Sequence, residues 1–194
     1  MKLGLAKTNS GEEIVADYLR QGGFTCLSIQ DFMGQQKNQK TRSIDNLVIS
    51  PLTDVGEVAM LRAHPDFYLL ALFAPFKKRY NQYVSQESGS DIVNPEKLLS
   101  IGEFRRQEEI PIDLLYTSDM KLCNRKGARS LCSKLDSVLD IIETEKAPLK
   151  AKTIDKGEHS FHLIPAANKL GYLIIDSDFQ KHPPSGYTWS AMPD

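Results

Sequence analysis

The chain has 194 residues, 41% of them hydrophobic and 25% charged, with a formal net charge of -1. That size suits one domain with a full core, or a domain with an appendage. The near-neutral balance gives no electrostatic footprint for direct nucleic-acid binding or for an acidic membrane surface, and no apolar run approaches the roughly 20 residues of a membrane span. The N-terminus enters an apolar stretch without a basic segment, signal core or cleavage site, so a protein of the cytoplasm or nucleus is expected. Cys26, Cys123 and Cys132 are odd in number and widely spaced, with no C-x-x-C pair, which argues against a disulfide framework and a thiolate zinc site. Of His64, His159, His162 and His182, the middle two lie three apart, with no acidic or thiolate ligand at metal spacing. No metal and no cofactor is expected.

In chain order, "KLGLA" (2–6) is apolar enough for a buried parallel strand, and "EEIVADYLRQ" (12–21) spaces Ile14, Val15, Tyr18 and Leu19 for an amphipathic helix. Gly22 and Gly23 end that helix, and "FTCLSI" (24–29) is a second strand, so a β-α-β crossover begins here. Residues 33–45 are polar and lack hydrophobic period, which predicts a flexible excursion. "NLVIS" (46–50) is a third strand, residues 54–65 a turn and short helix, and "FYLLALFAP" (67–75) a fourth, buried strand. Residues 76–86 and 94–109 are helical, the latter with Asn94 as N-cap and Pro95 at the first helical position. "IDLLYT" is a strand candidate, and residues 133–145 an amphipathic helix. After residue 146 the composition turns linker-like. One strand, "GYLIID" (171–176), precedes a Pro/Gly/aromatic tail. The alternation predicts an α/β fold in three layers with a mainly parallel sheet.

The first turn carries the chemical question. A phosphate-binding loop reads G-x-x-x-x-G-K-[ST]: backbone N–H groups and a helix N-terminus surround the phosphates, the lysine reaches the terminal ones, and the hydroxyl holds magnesium. Anchored on Gly11, the positions are Ala6, Lys7, Thr8, Asn9, Ser10, Gly11, Glu12 and Glu13. Only the second glycine survives. Two unit charges at 4 Å interact by about 4 kcal/mol at an effective dielectric near 20, so a carboxylate in the lysine's place opposes a polyphosphate by that order. Nucleotide binding in the usual pose is not expected. Lys7, at the second position, is where some deviant loops carry an extra lysine, but those loops keep the other one too.

"GLAKTNSGEEIVADYLRQGGFTCLSIQDFM" resembles the opening of nucleoside-monophosphate-kinase-like P-loop proteins, in particular the kinase-like domain at the N-terminus of fungal deoxycytidylate deaminases. "NLVISPLTDVGEVAMLRAHPDFYLLALFAPFKKRY" is similar to that family's Walker B strand, the following turn and helix, and the next strand. "EKAPLKAKTID" resembles its linker into the deaminase. The resemblance covers about residues 2–152 and implies a degenerate P-loop kinase-like domain there, with residues 153–194 a C-terminal extension carrying one strand and the aromatic tail. Ser50 stands where the family has its Walker B acid, and Thr53 where it has an arginine, whereas Gly56, Glu57, Val58, Leu61 and Arg62 remain. No H-x-E and no P-C-x-x-C follows residue 152, which excludes zinc deamination.

Glu12 and Glu13 read as first-turn acids favoured by the helix dipole, with Glu12 exposed. Arg105 and Arg106 lie where related kinases carry a phosphate-clamping lid, and read here as a solvated helix face. Residues 121–134, with Lys121, Arg125, Lys126, Arg129 and Lys134, read as a solvated basic edge. Arg125 and Arg129, with Tyr187, Trp189 and Met192 of the tail, are the candidate contacts to a protein partner. The expected function is that of a pseudo-enzyme: a catalytically inactive kinase-like subunit or adaptor acting through protein–protein interaction. The alternative is a nucleotide-binding or residual kinase module using Lys7, Asn9, Ser10 and Arg105/Arg106.

Overall fold

The computed structural model describes residues 1–37, 46–88, 99–107, 112–184 and 187. Eight strands form one open sheet: β1 (Lys2–Ala6), β2 (Thr25–Leu27), β3 (Leu47–Leu52), β4 (Phe67–Phe73), β5 (Met120–Cys123), β6 (Lys152–Lys156), β7 (His159–Pro165) and β8 (Tyr172–Asp176). Their order is β2-β3-β1-β4-β5-β8-β7-β6. The six strands from β2 to β8 in that order run parallel, and β7 and β6 continue antiparallel. The eight helices among the described residues are α1 (Glu12–Gln21), α2 (Ile29–Lys37), α3 (Val55–Leu61), α4 (Phe76–Ser88), α5 (Ile101–Gln107), α6 (Ile112–Thr117), α7 (Ala128–Thr144) and α8 (Ser177–Lys181).

Strand alternation divides the core in two. Leu3 and Leu5 of β1, Leu70 and Leu72 of β4, and Met120 and Leu122 of β5 pack with Val15 and Leu19 of α1 and Leu131, Leu135 and Val138 of α7. Phe67, Leu69, Ala71 and Phe73 of β4 point the other way, to Phe32 of α2, Val58 and Leu61 of α3, Leu114 and Leu115 of α6, and Phe179 of α8. Two apolar clusters on opposite faces of one sheet make three layers, as the alternation of elements predicts. The strand order turns at β1, with β3 on one side and β4 on the other, so the loop leaving β1 opens at the crevice where open α/β sheets place their ligands.

Four expectations are corrected. "IDLLYT" is a helix, α6, because its two adjacent leucines are both buried on one side of a short turn, and the strand begins only at Met120. The second strand ends at Leu27. Ser28 then caps α2, donating from Oγ to Asp31 Oδ2 (2.6 Å) and accepting from Asp31 N (3.1 Å), so residues 33–37 are helical and only residues 38–45 of the expected excursion lie outside the described residues. The linker-like stretch is a hairpin: β6 and β7 pair from Lys152↔Leu163 to Lys156↔His159, with Gly157 (φ 59°) in the turn. The half-exposed edge strand carries Lys152, Asp155 and Lys156, which hides its period. Finally, Lys121 and Lys134 are buried rather than solvated, while Arg125, Lys126 and Arg129 are exposed.

The boundary placed at residue 152 runs through this single sheet, since β8 pairs in parallel with β5. Asn94 and Pro95 lie outside the described residues. The described start of α5 is capped by Ser100 and Glu103, with Ser100 N (2.9 Å) and Oγ (2.7 Å) donating to Glu103 Oε2. Among the described residues, no helix is long and apolar enough to cross a membrane.

Candidate functional site

The loop after β1 is held from three strands. Lys7 N donates to Leu52 O of β3 (2.7 Å), Ala74 N beyond β4 donates to Ser10 Oγ (3.0 Å), and Asn124 Nδ2 beyond β5 donates to Ser10 O (2.7 Å). Lys78 of α4 fixes that asparagine by donating from Nζ to its Oδ1 (2.7 Å), and burial pulls this ammonium's pKa below its ordinary value. Asn9 (φ 53°) and Gly11 (φ 116°) are left-handed, and a Cβ on Gly11 would stand 2.6 Å from Asn124 Nδ2. These dihedrals curl successive N–H groups inward, the concave arrangement that binds anions.

The anion is already there. Glu12 is buried, and its carboxylate folds back into the curl. Oε1 accepts from Thr8 N and from Thr8 Oγ1 (2.6 Å). Oε2 accepts from Ser10 N (2.9 Å) and Gly11 N (3.0 Å). A carboxylate offers about four lone-pair sites, and all are filled. The carboxylate thus satisfies the inward N–H donors of the curl from within the chain, beside the positive end of α1. The expectation of an exposed Glu12 is wrong for this reason: the backbone donors draw it inward. Glu13 is exposed.

The other motif residues separate into two groups. Lys7 and Asn9 are exposed, and Thr8 and Ser10 are buried inside the loop. Ser50 lies half-buried in β3 and brings no carboxylate to the loop. Past it, the residues of the turn and of α3 are structural. Asp54 and Glu57 form a reciprocal capping box on α3, Val58 and Leu61 are core, and Arg62 pairs with buried Asp119 (3.3 Å) and donates to Thr117 O (2.6 Å).

Beside the loop is a cleft of about 260 Å³, lined by Asn9, Glu12, Glu13, Arg79, Gln82, Tyr83 and Phe104. Arg79 is 5% exposed, donates to Ala74 O, and lies 5.1 Å from the centre of the Phe73 ring. The Arg105 guanidinium sits 4.6 Å over Phe76 rather than over the loop, and Arg106 is in the last turn of α5. Sequence reading missed Lys78 and Asn124, which reach the loop from distant segments, while Arg79 ends the "APFKKR" stretch of the resemblance with no role assigned to it.

The remaining candidates stand apart from the loop. Tyr187 is half-buried on the chain's own surface, stacked on Tyr116 (4.7 Å, 16°) and edge-on to Phe179 (5.5 Å), and burial pushes its phenol up to about 12. Trp189 and Met192 lie outside the described residues. Lys134 pairs with Asp176 (2.5 Å) and Asp178 (2.8 Å), joining α7 to β8 and α8. The hydrogen bond from Lys134 holds the Asp178 carboxyl below its ordinary value. Among the described residues, no cluster of His, Cys, Asp and Glu could hold a metal ion. No family model matches the chain, and no curated protein matches it.

Proposed function

We propose that this chain is a degenerate P-loop kinase-like protein, inactive in phosphoryl transfer, that serves as a subunit or adaptor through contacts with other proteins. One observation carries the reading: the Glu12 carboxylate fills the anion-binding curl of the loop. A nucleotide phosphate would have to displace an attached carboxylate and then lie beside it, and each unit of like charge at contact distance opposes binding by about 4 kcal/mol. Ser50, in place of an acid, offers magnesium no carboxylate. The alternative, a nucleotide module using Lys7 and Arg105/Arg106, lacks comparable support, because Lys7 is exposed and Arg105 lies on an aromatic ring.

Isothermal titration and thermal shift with millimolar Mg-ATP, Mg-ADP and nucleoside monophosphates test the first half, and the expected result is no saturable binding and no turnover. Turnover that disappears in Lys7→Ala overturns it. The second half is tested by reconstituting, from purified components, the complex recovered with this chain from its native source. A chain that runs as a free monomer in native extract overturns the adaptor reading.

A further inference from the structure

On the antiparallel side of the sheet, far in sequence from the loop, a serine, a histidine and a threonine stand in a line. His162 of β7 is the cross-strand neighbour of Thr153 on β6 and of Ile175 on β8. Ser177, the first residue of α8, follows β8 by one residue, so its hydroxyl comes to the same imidazole. The Ser177 Oγ to His162 Nε2 distance is 3.0 Å, and His162 Nδ1 lies 3.1 Å from Thr153 Oγ1. A neutral imidazole has one N–H and one acceptor nitrogen. With Nδ1–H donating to Thr153 Oγ1, Nε2 accepts the Ser177 hydroxyl. That is the arrangement of a nucleophile on a base oriented by a third group. Thr153 and His162 also line a cleft of about 180 Å³ with Ala151, Lys152, Ile164 and Gln180. The cleft is large enough for a short acyl chain against Ile164, and His162 connects it to Ser177, which is not itself one of the lining residues.

We propose that Ser177 and His162 are a nucleophile–base pair that accepts acyl groups from small carboxylic esters approaching along the cleft that His162 lines. Ser177 Oγ bonds to the ester carbonyl carbon as its proton passes to His162 Nε2. The alkoxide leaves with that proton, and water, deprotonated by the same nitrogen, then releases the acid and restores the serine. Thr153 is a positioning residue that holds the imidazole ring in place at Nδ1. Because it is a neutral hydroxyl and cannot stabilise an imidazolium as a carboxylate does, turnover is slow. The proposal is independent of the adaptor reading, since it uses no residue of the loop.

The test is a fluorophosphonate, in which Ser177 Oγ displaces fluoride from phosphorus and the adduct persists, together with p-nitrophenyl acetate hydrolysis. The expected result is a single adduct mapped to Ser177 by peptide mass spectrometry and absent in Ser177→Ala. In His162→Gln or His162→Asn, each checked for an unchanged far-ultraviolet spectrum and cooperative melt, labelling is expected to slow about 100-fold or more. Thr153→Val should slow it too, and Thr153→Ser should restore it, which a merely structural threonine would not require. A folded wild-type protein that takes no label at Ser177, or one labelled at the same rate in both histidine variants, overturns the proposal.

Discussion

Replacing Glu12 by alanine removes the acceptor of four hydrogen bonds at once: those from Thr8 N, Thr8 Oγ1, Ser10 N and Gly11 N. A hydrogen bond to a charged group contributes about 1.5–3 kcal/mol net. Water entering the space left by the carboxylate recovers part of that for a site this close to the surface. The expected net loss is therefore about 2–4 kcal/mol, or roughly 5–15 °C in Tm for a chain of this length. Urea denaturation measures it, with an unchanged m-value showing that the loss is in the folded state. The variant also leaves an empty curl of donors, so phosphate should now bind. At ten times its Kd it restores about 1.4 kcal/mol in Glu12→Ala and gives no such increment in the wild type. Because phosphate also stabilises proteins by exclusion from their surface, the quantity of interest is the difference between the two chains. Glu12→Gln should fare little better than alanine, since its amide N–H would face the loop's own donors. A Glu12→Ala chain as stable as wild type, or an equal phosphate increment in both, would refute the internal-anion reasoning.

Gly11→Val should cost more than Glu12→Ala, because its Cβ would stand 2.6 Å from Asn124 Nδ2 at a φ of 116°; a melt within about 1 °C of wild type would contradict this. Lys121→Met should stabilise the chain at neutral pH. Burial lowers the Lys121 pKa from 10.5 to about 8, so the unfolded chain holds the proton more tightly and the wild type gains stability as pH rises from about 8 to about 10.5. The advantage of the variant, a few kcal/mol by that shift, should accordingly shrink over the same window in paired urea titrations. Tyr187→Ala should cost about 1–2 kcal/mol through the lost ring contacts, and truncation after Asp176 considerably more because it also removes buried Phe179. Truncated protein that melts with wild type would restore the view of the tail as a free docking segment.

The layered α/β architecture was legible because it rests on local signals. The Gly22–Gly23 stop appears as Gly23 in the left-handed region (φ 90°), with Phe24 N donating to Leu19 O (3.0 Å) and Gly23 N to Arg20 O (3.1 Å), and "FYLLALF" is β4 at every residue. What escaped was decided at long range. "IDLLYT" has too few residues for periodicity to separate helix from strand. Lys134 reads as surface charge until Asp176 and Asp178, more than forty positions on, are brought to it. A buried ion pair leaves no trace in local hydropathy. The loop was half legible. Its curl followed from Gly11 and its neighbours, and the placing of a negative charge at position 12 was plain. The direction in which Glu12 points depends on donors oriented by Asn9, Gly11 and Asn124, the last of them far away in sequence.

That direction also bears on why a phosphate-type loop keeps its shape with such residues in it. A curl of inward N–H groups is costly without an anion, because each unsatisfied buried donor costs about 1–3 kcal/mol. In a nucleotide-binding protein the ligand meets that cost only while bound. Here Glu12 meets it permanently and intramolecularly, without the entropy loss of capturing a free ion. The loop can then act as a rigid junction of three strands, with Ser10 tied to Ala74 and Asn124, and Lys78 behind Asn124. Once the anion is internal, a lysine at position 12 or an acid at position 50 would add charge with no phosphate or magnesium to meet it. On the reading proposed above, Glu12 and Ser50 belong together, and a lysine placed at position 12 alone should open the curl without conferring nucleotide turnover.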